Sequence, residues 1–362
     1  MTEHRRSRGE VRVGRTASGI AYEVPADGYP DLLLIQDGLL PMVALARFPP
    51  YEAFLRRLGT LGRVICFDRR GIGASARAGR DRPFGLADWA DDAREVLAAT
   101  TSVPAIVVAL AEGAMTAIAL AARHPESVAA LVLINATPGP SLGPLALRGE
   151  GPRHIEYLRS TLSQGWIADL PGLELVAPSM ERDPSFPRWL TDAFREAGDA
   201  RRFLPVFDLA LRSDVRGCLG GVRSPTMVLH RRHDRWFATD HGRLVARAIA
   251  GARYVELPGA DHAPYIGSSD DLLSAIRWFV ADQLPALVVG PQVATDPPDQ
   301  RLTPRQAEVV RMVRAGLTDH EVALRMGLSP RTVQKHLELA FRRLHVRNRT
   351  AAAARFDRGE PT

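Results

Sequence analysis

The chain has 362 residues, 46% hydrophobic and 24% charged, enough for two folding units and too apolar for a disordered or fibrous polymer. No run approaches the roughly 18 uninterrupted apolar residues that span a bilayer, and the opening MTEHRRSRGE lacks the apolar stretch of a secretion signal, so no membrane association and a cytoplasmic location are expected. The net charge of +6 is uneven, because residues 301–362 hold 13 basic and 6 acidic side chains while residues 1–300 are close to neutral. Such a tail suits a polyanion, although a solvated basic helix face would look the same.

Residues 1–10 are polar and Arg-rich and read as a flexible tail. Short β-rich runs then alternate with helical patterns. Strands are expected at 32–36, 63–68, 105–110, 130–134, 226–230 and 253–257, with amphipathic helices such as 51–61 and 86–100 between them. This alternation predicts an α/β fold, a mainly parallel sheet covered on both faces. Between residues 139 and 222 it breaks into short helical patterns, such as 187–197 and 202–211, without a parallel strand. That stretch reads as a helical lid over the strand ends, where open sheets place ligands. The core is therefore expected in 11–138 and 223–284, closing with a helix over 270–283. Residues 285–300, with GPQVATDPPDQ, read as a linker, and 301–362 as a second, all-α domain. Cys66 and Cys218 match no metal-ligand spacing, and neither a metal nor a cofactor is expected.

Three helix starts are legible after the linker. Thr303 with Gln306 and Thr318 with Glu321 form capping boxes, and Ser329 precedes a proline at the first helical position. Only Gly327 and Leu328 separate the second helix from the third, as a helix-turn-helix requires. In the third helix Val333, Leu337, Ala340, Phe341 and Leu344 make one apolar stripe. Arg331, Gln334, Lys335, Glu338 and Arg342 stand opposite it. A solvated helix shows a similar pattern; the tight preceding turn and the basic outer face favour a recognition helix that reads DNA with its N-terminal residues.

The stretch LTPRQAEVVRMVRAGLTDHEVALRMGLSPRTVQKHLELAFRRLHVRNRTAAAA, residues 302–354, resembles the helix-turn-helix domain of LuxR-type regulators almost throughout. The resemblance implies a four-helix module with a recognition helix at 329–344 and a last helix that often dimerises. It places Gln334 and Lys335, after Thr332, against bases, with Glu338 one turn later. Glu338 departs from the basic or polar residue usual there, and Arg347 and Arg349 become phosphate contacts.

Residues 11–283 resemble an α/β-hydrolase with a helical lid. FDRRGIGAS, residues 67–75, is similar to the D-x-R-G-x-G-x-S turn, and residues 107–138 have the layout of a nucleophile elbow. The elbow pattern G-x-S-x-G reads Ala109-Leu110-Ala111-Glu112-Gly113, so Ala111 stands where the nucleophile is expected. The resemblance supplies Asp234 and His262 as the other two members of the catalytic set, in the family's order. It supplies the backbone N–H groups of Leu39, after Gly38, and of Glu112 as the oxyanion site. Glu112 is one residue out of register for a nucleophile, Ser75 and Thr116 are not at the elbow tip, and Met115, Trp166, Trp189 and Trp236 read as core or lid packing.

An elbow without its oxygen keeps a cavity able to hold a small organic molecule, with Gly38, Leu39, Ala111, Glu112, Asp234 and His262 around it. The expectation is therefore a non-enzymatic, ligand-responsive transcriptional regulator that binds DNA as a homodimer. The alternatives are a hydrolase or isomerase in which His262 and Asp234 act without a serine, with DNA binding as a second activity, and a constitutive DNA-binding protein whose large domain serves only dimerisation or partner docking.

Overall fold

The computed structural model describes residues 11–25, 28–37, 40–76, 78, 83–100, 104–139, 160, 176–197, 200–284, 304–326, 328 and 330–343. Two compact units, Met1–Gly290 and Pro291–Thr362, each enclose their own core.

In the first unit the parallel strands are β3 (Asp31–Ile35), β4 (Arg63–Phe67), β5 (Ala105–Leu110), β6 (Val128–Ile134), β7 (Thr226–Arg231) and β8 (Arg253–Leu257). The connecting helices are α1 (Met42–Leu45), α2 (Pro49–Leu58), α3 (Leu86–Thr100), α4 (Gly113–Arg123), α5 (Ser185–Ala197), α6 (Ala200–Arg212), α7 (Thr239–Ala248) and α8 (Asp270–Gln283). β5 reads AIVVAL and is buried at every position, the signature of a central strand covered on both faces. Successive side chains point to opposite faces. Leu32, Leu34, Val64, Cys66, Ile106 and Val108 therefore join one apolar layer with α2 and α8, and Leu33, Ile35, Ile65, Phe67, Val107 and Ala109 join the other with α3 and α4.

Two antiparallel strands that the pattern does not announce, β1 (Val11–Arg15) and β2 (Ala21–Pro25), extend the sheet beyond β4. β1 is an edge strand with no buried residue, so it carries no apolar run to betray it. The Ser75 hydroxyl accepts from the Ala21 N–H at 2.8 Å and ties β2 to the turn after β4, a structural role away from the elbow. α2 begins two residues earlier than expected because Pro49 and Pro50 are favoured in a first turn, and it ends at Gly59.

The strand order is β1-β2-β4-β3-β5-β6-β7-β8. From β3 the chain steps one way to β4 and then back past β3 to β5, so the order reverses there. A crevice opens at the carboxyl ends of strands at such a switch point. Beside these strand ends pack the described helices α5 and α6. Trp189 on α5 stacks on Phe48 with centroids 4.1 Å apart and donates to the Ala44 carbonyl at 3.2 Å. Val206 on α6 is buried with Ile72 and Trp89 beside the turn after β4.

The second unit contains α9 (Pro304–Arg314), α10 (Asp319–Met326) and α11 (Pro330–Arg343). α9 ends in a Schellman arrangement in which Gly316, at φ 86°, donates to Val313 and Leu317 donates to Met312. Thr318 and Glu321 make the reciprocal bonds of a capping box at 2.7 and 3.3 Å. Val309, Val310, Val313, Val322, Val333, Leu337 and Ala340 close the core, and Arg305 donates to the Met326 carbonyl at 3.0 Å. Thr303, Gly327, Ser329 and Leu344 lie outside the described residues.

Candidate functional site

Ala111 follows β5 with φ 47°, a left-handed conformation that a side-chain-bearing residue adopts only when its surroundings enforce it. Three contacts do so. Its N–H donates to the Ile134 carbonyl at 2.8 Å, its carbonyl accepts from Ala114 at 3.1 Å, and Gly113 lets the start of α4 press on β3. A Cβ at Gly113 would stand 2.7 Å from the Gln36 carbonyl oxygen and 2.8 Å from that of Ile35. The result is a sharp strand-to-helix turn with a fully buried methyl group at its tip. Glu112 and Gly113 open α4, so their N–H groups belong to the first-turn donors that a helix leaves without an internal acceptor.

Two loops at the same strand ends supply Asp234 and His262. His262 Nδ1 lies 2.8 Å from Asp234 Oδ2, both side chains being buried. Asp234 Oδ1 accepts from the backbone N–H groups of Trp236 and Phe237 at 2.8 and 3.1 Å, which fixes the carboxylate. Burial pulls the His262 pKa down, but the charge and hydrogen bond of Asp234, with Glu112 and Asp37 further off, overcome it and leave the imidazole above its ordinary value. The ring is held by Phe237, edge to face at 4.9 Å, while its Nε2 has no protein hydrogen-bond partner.

The loop bearing His262 is clamped from below. Asn135, left-handed at φ 50°, accepts from the Arg231 N–H at 2.9 Å and donates to the His262 carbonyl at 2.7 Å. The buried Arg231 guanidinium donates to the carbonyls of Asp261, Ala263, Pro264 and Ser268 at 2.9 to 3.3 Å. From the insertion, the Val176 carbonyl accepts the His262 N–H at 2.8 Å.

Residues that the sequence motifs do not single out complete the site. Asp37, directly after β3, is buried, and its pKa rises to about 6 through burial first and then Glu112, partly offset by His262, its own backbone N–H and Arg69. Arg69, after β4, is buried and lowered to about 10 by burial, against the pull of Glu112 and Asp37. Its Nη2 donates to the Gln36 carbonyl at 3.1 Å, the same oxygen that faces Gly113. The Tyr265 hydroxyl faces the Asp37 carboxyl as a donor, and burial raises its pKa far above the usual phenol value. Trp236 is more than packing, since its Nε1 donates to Glu112 Oε1 at 3.2 Å. No sequence pattern marks Asp37, and Arg69 fills an unspecified position of the D-x-R-G-x-G-x-S turn. Trp189 and Met115 are packing residues, as expected, and Gly38, Leu39 and Trp166 lie outside the described residues.

On α11 the stripe residues Val333, Leu337 and Ala340 are buried and Gln334 is exposed, while Thr332 is half-buried. The backbones of Arg331, Lys335, Glu338 and Arg342 lie in the same helix, and Arg347 and Arg349 fall outside the described residues. Among the described residues no group of His, Cys, Asp and Glu is placed to hold a metal ion, and no helix is long and apolar enough to cross a membrane.

The family model described as the alpha/beta hydrolase fold matches residues 62–268, and that of bacterial regulatory proteins of the luxR family matches residues 300–356. A pimeloyl-acyl-carrier-protein methyl ester esterase of Chromobacterium violaceum is 26% identical over 197 residues, covering 54% of this chain and 77% of its own. RutD of Variovorax paradoxus, provisionally a carbamate hydrolase, is 37% identical over 256 residues, covering 67% of this chain and 88% of its own. The enol-lactonase of Burkholderia xenovorans LB400 superposes with a TM-score of 0.56 at 24% identity, over 75% of this chain and all of its own, a likeness of fold.

Proposed function

The chain belongs to the α/β-hydrolase fold family and ends in a LuxR-family DNA-binding domain, and from that premise we propose that it is a transcriptional regulator whose large domain senses a small organic molecule. The observation that carries this reading is Ala111. It sits at the tip of a strained elbow beside an intact Asp234–His262 pair, with a methyl group and no oxygen to attack a carbonyl. A serine hydrolase stripped of its nucleophile retains only the slow rate due to binding and the oxyanion site. Binding itself does not need that oxygen. The relatives act by name on a methyl ester and, provisionally, a carbamate, which supports an acyl-type organic ligand oriented near Ala111, Glu112 and His262.

Regulation requires the ligand to bind the DNA-competent and incompetent arrangements differently, typically by about 1–3 kcal/mol. A homodimer is the natural unit for a paired operator, with α11 reading bases through Thr332, Gln334, Lys335 and Glu338 and with Arg331, Arg342, Arg347 and Arg349 on phosphates. Such a regulator works in the cytoplasm.

Two measurements on the full chain test this. Operator fragments selected from random DNA should bind with an affinity that a retained small molecule changes, and activated esters should not turn over. Ester turnover that depends on His262 would replace the sensor by an enzyme in which Asp234 and His262 activate water directly.

A further inference from the structure

The groups that converge beside the elbow have a charge pattern that the missing nucleophile does not explain. Asp37, Arg69 and His262 are each more than nine-tenths buried, and each carries a polar atom without a hydrogen-bond partner among the protein atoms: Asp37 Oδ1, Arg69 Nη1 and His262 Nε2. Buried polar atoms without partners are costly and rare, so three at one set of strand ends point to a ligand that satisfies them. Their convergence is geometric. Asp37 follows β3, Arg69 follows the adjacent β4, and the Gln36 carbonyl receives Arg69 Nη2 while facing Gly113 of the elbow. Glu112 lies beside Ala111 and is held by Trp236, whose neighbour Phe237 packs on His262.

We propose that this cluster recognises an uncharged polar head that offers both a hydrogen-bond acceptor and a donor, of the amide or hydroxy-carbonyl class. The proposal rests on reading the large domain as a small-molecule receptor and names the chemistry it receives. An acceptor oxygen faces Arg69 Nη1, and an N–H or O–H faces Asp37 Oδ1, with His262 Nε2 completing the cluster. A carboxylate head would meet the carboxyls of Asp37 and Glu112, and the His262 ring is already paired with Asp234. An ammonium head would meet the Arg69 guanidinium. Only a neutral head suits both ends at once, and at low local dielectric the mismatch of a full charge is strongly penalised. Ala111 fits this role, since its methyl leaves His262 Nε2 free to bond the ligand.

The test uses three probes of equal length, hexanamide, hexanoate and hexylamine, titrated into the full chain at pH 7.5 and followed by saturation-transfer NMR. Hexanamide should bind at least about tenfold more tightly than either charged probe. Asp37→Asn and Arg69→Met should each weaken it several-fold with unchanged far-UV circular dichroism. If Arg69→Met fails to fold, Arg69→Lys takes its place, because it keeps the charge and loses the guanidinium fork. Equal or tighter binding of hexanoate or hexylamine, binding of none of the three, or full hexanamide affinity in both variants overturns the head-group assignment. Preference for hexanoate would leave the receptor reading standing. Hexanamide bound without any change in DNA affinity would instead count against regulation and leave the head-group assignment intact.

Discussion

Replacing Asp37 by Asn should stabilise the large domain at neutral pH even as it weakens ligand binding. The carboxyl is buried, and its pKa stands at about 6 against an ordinary 3.8, chiefly because burial disfavours the charged form. Below pH 3.8 both folded and unfolded chains are protonated there, and the group contributes nothing. Between 3.8 and about 6 the unfolded chain releases its proton first, so stability is lost as pH rises. Above about 6 the penalty is constant, and a carboxyl shifted this far opposes folding by up to about 3 kcal/mol. Asparagine keeps an acceptor for Tyr265 and carries no charge, so a net gain of about 1–3 kcal/mol at pH 7.5 is expected, shrinking to zero near pH 4. Asp68, also held at about 6 by burial against its bonds to Met42 and Ala74, is present in both proteins and cancels in the difference. Urea titrations followed by tryptophan fluorescence report this domain alone, because all five tryptophans lie before residue 290. A difference between variant and wild type that does not vary from pH 4 to 7.5, or a variant less stable at pH 7.5, would refute the assignment of Asp37 as a buried, strained carboxylate.

Ala111→Ser should return a reacting oxygen to the elbow, so a serine-directed phosphonate should label residue 111 in the variant and nothing in the wild type. His262→Ala in the same background should abolish the labelling, and labelling that survives it would disconnect His262 from the elbow. Asn135→Ala strips partners from the Arg231 N–H and the His262 carbonyl and puts alanine at φ 50°, which should cost about 2–4 kcal/mol in urea unfolding; a loss below about 1 kcal/mol would show that the loop holds itself. For the second unit, DNA affinity should fall steeply with salt through counterion release, and Gln334→Ala should cost about 1–3 kcal/mol with relaxed preference at one base pair. Competition assays against an unrelated duplex would read that preference, and its persistence would remove Gln334 from base contact.

Local chemistry makes much of this protein legible in the amino-acid sequence. Runs such as AIVVAL are short, rich in β-branched residues and apolar on both faces, as a central strand requires, and the pairing of Thr318 with Glu321 announces a helix start through bonds a few residues apart. The Asp234–His262 pair is legible only through a family motif, since 28 residues of sequence separate groups that meet at 2.8 Å. Strand β1 is silent because an exposed edge needs no apolar run. Asp37, Arg69 and Tyr265 are silent for a different reason. They come from separate loops, and their character arises from mutual burial and from facing one another, which the sheet order brings about by reversing at β3. Sequence determines which residues must be buried or capped nearby; the crossing of distant strand ends decides which buried charges share a site, because electrostatic coupling acts across space and not along the chain.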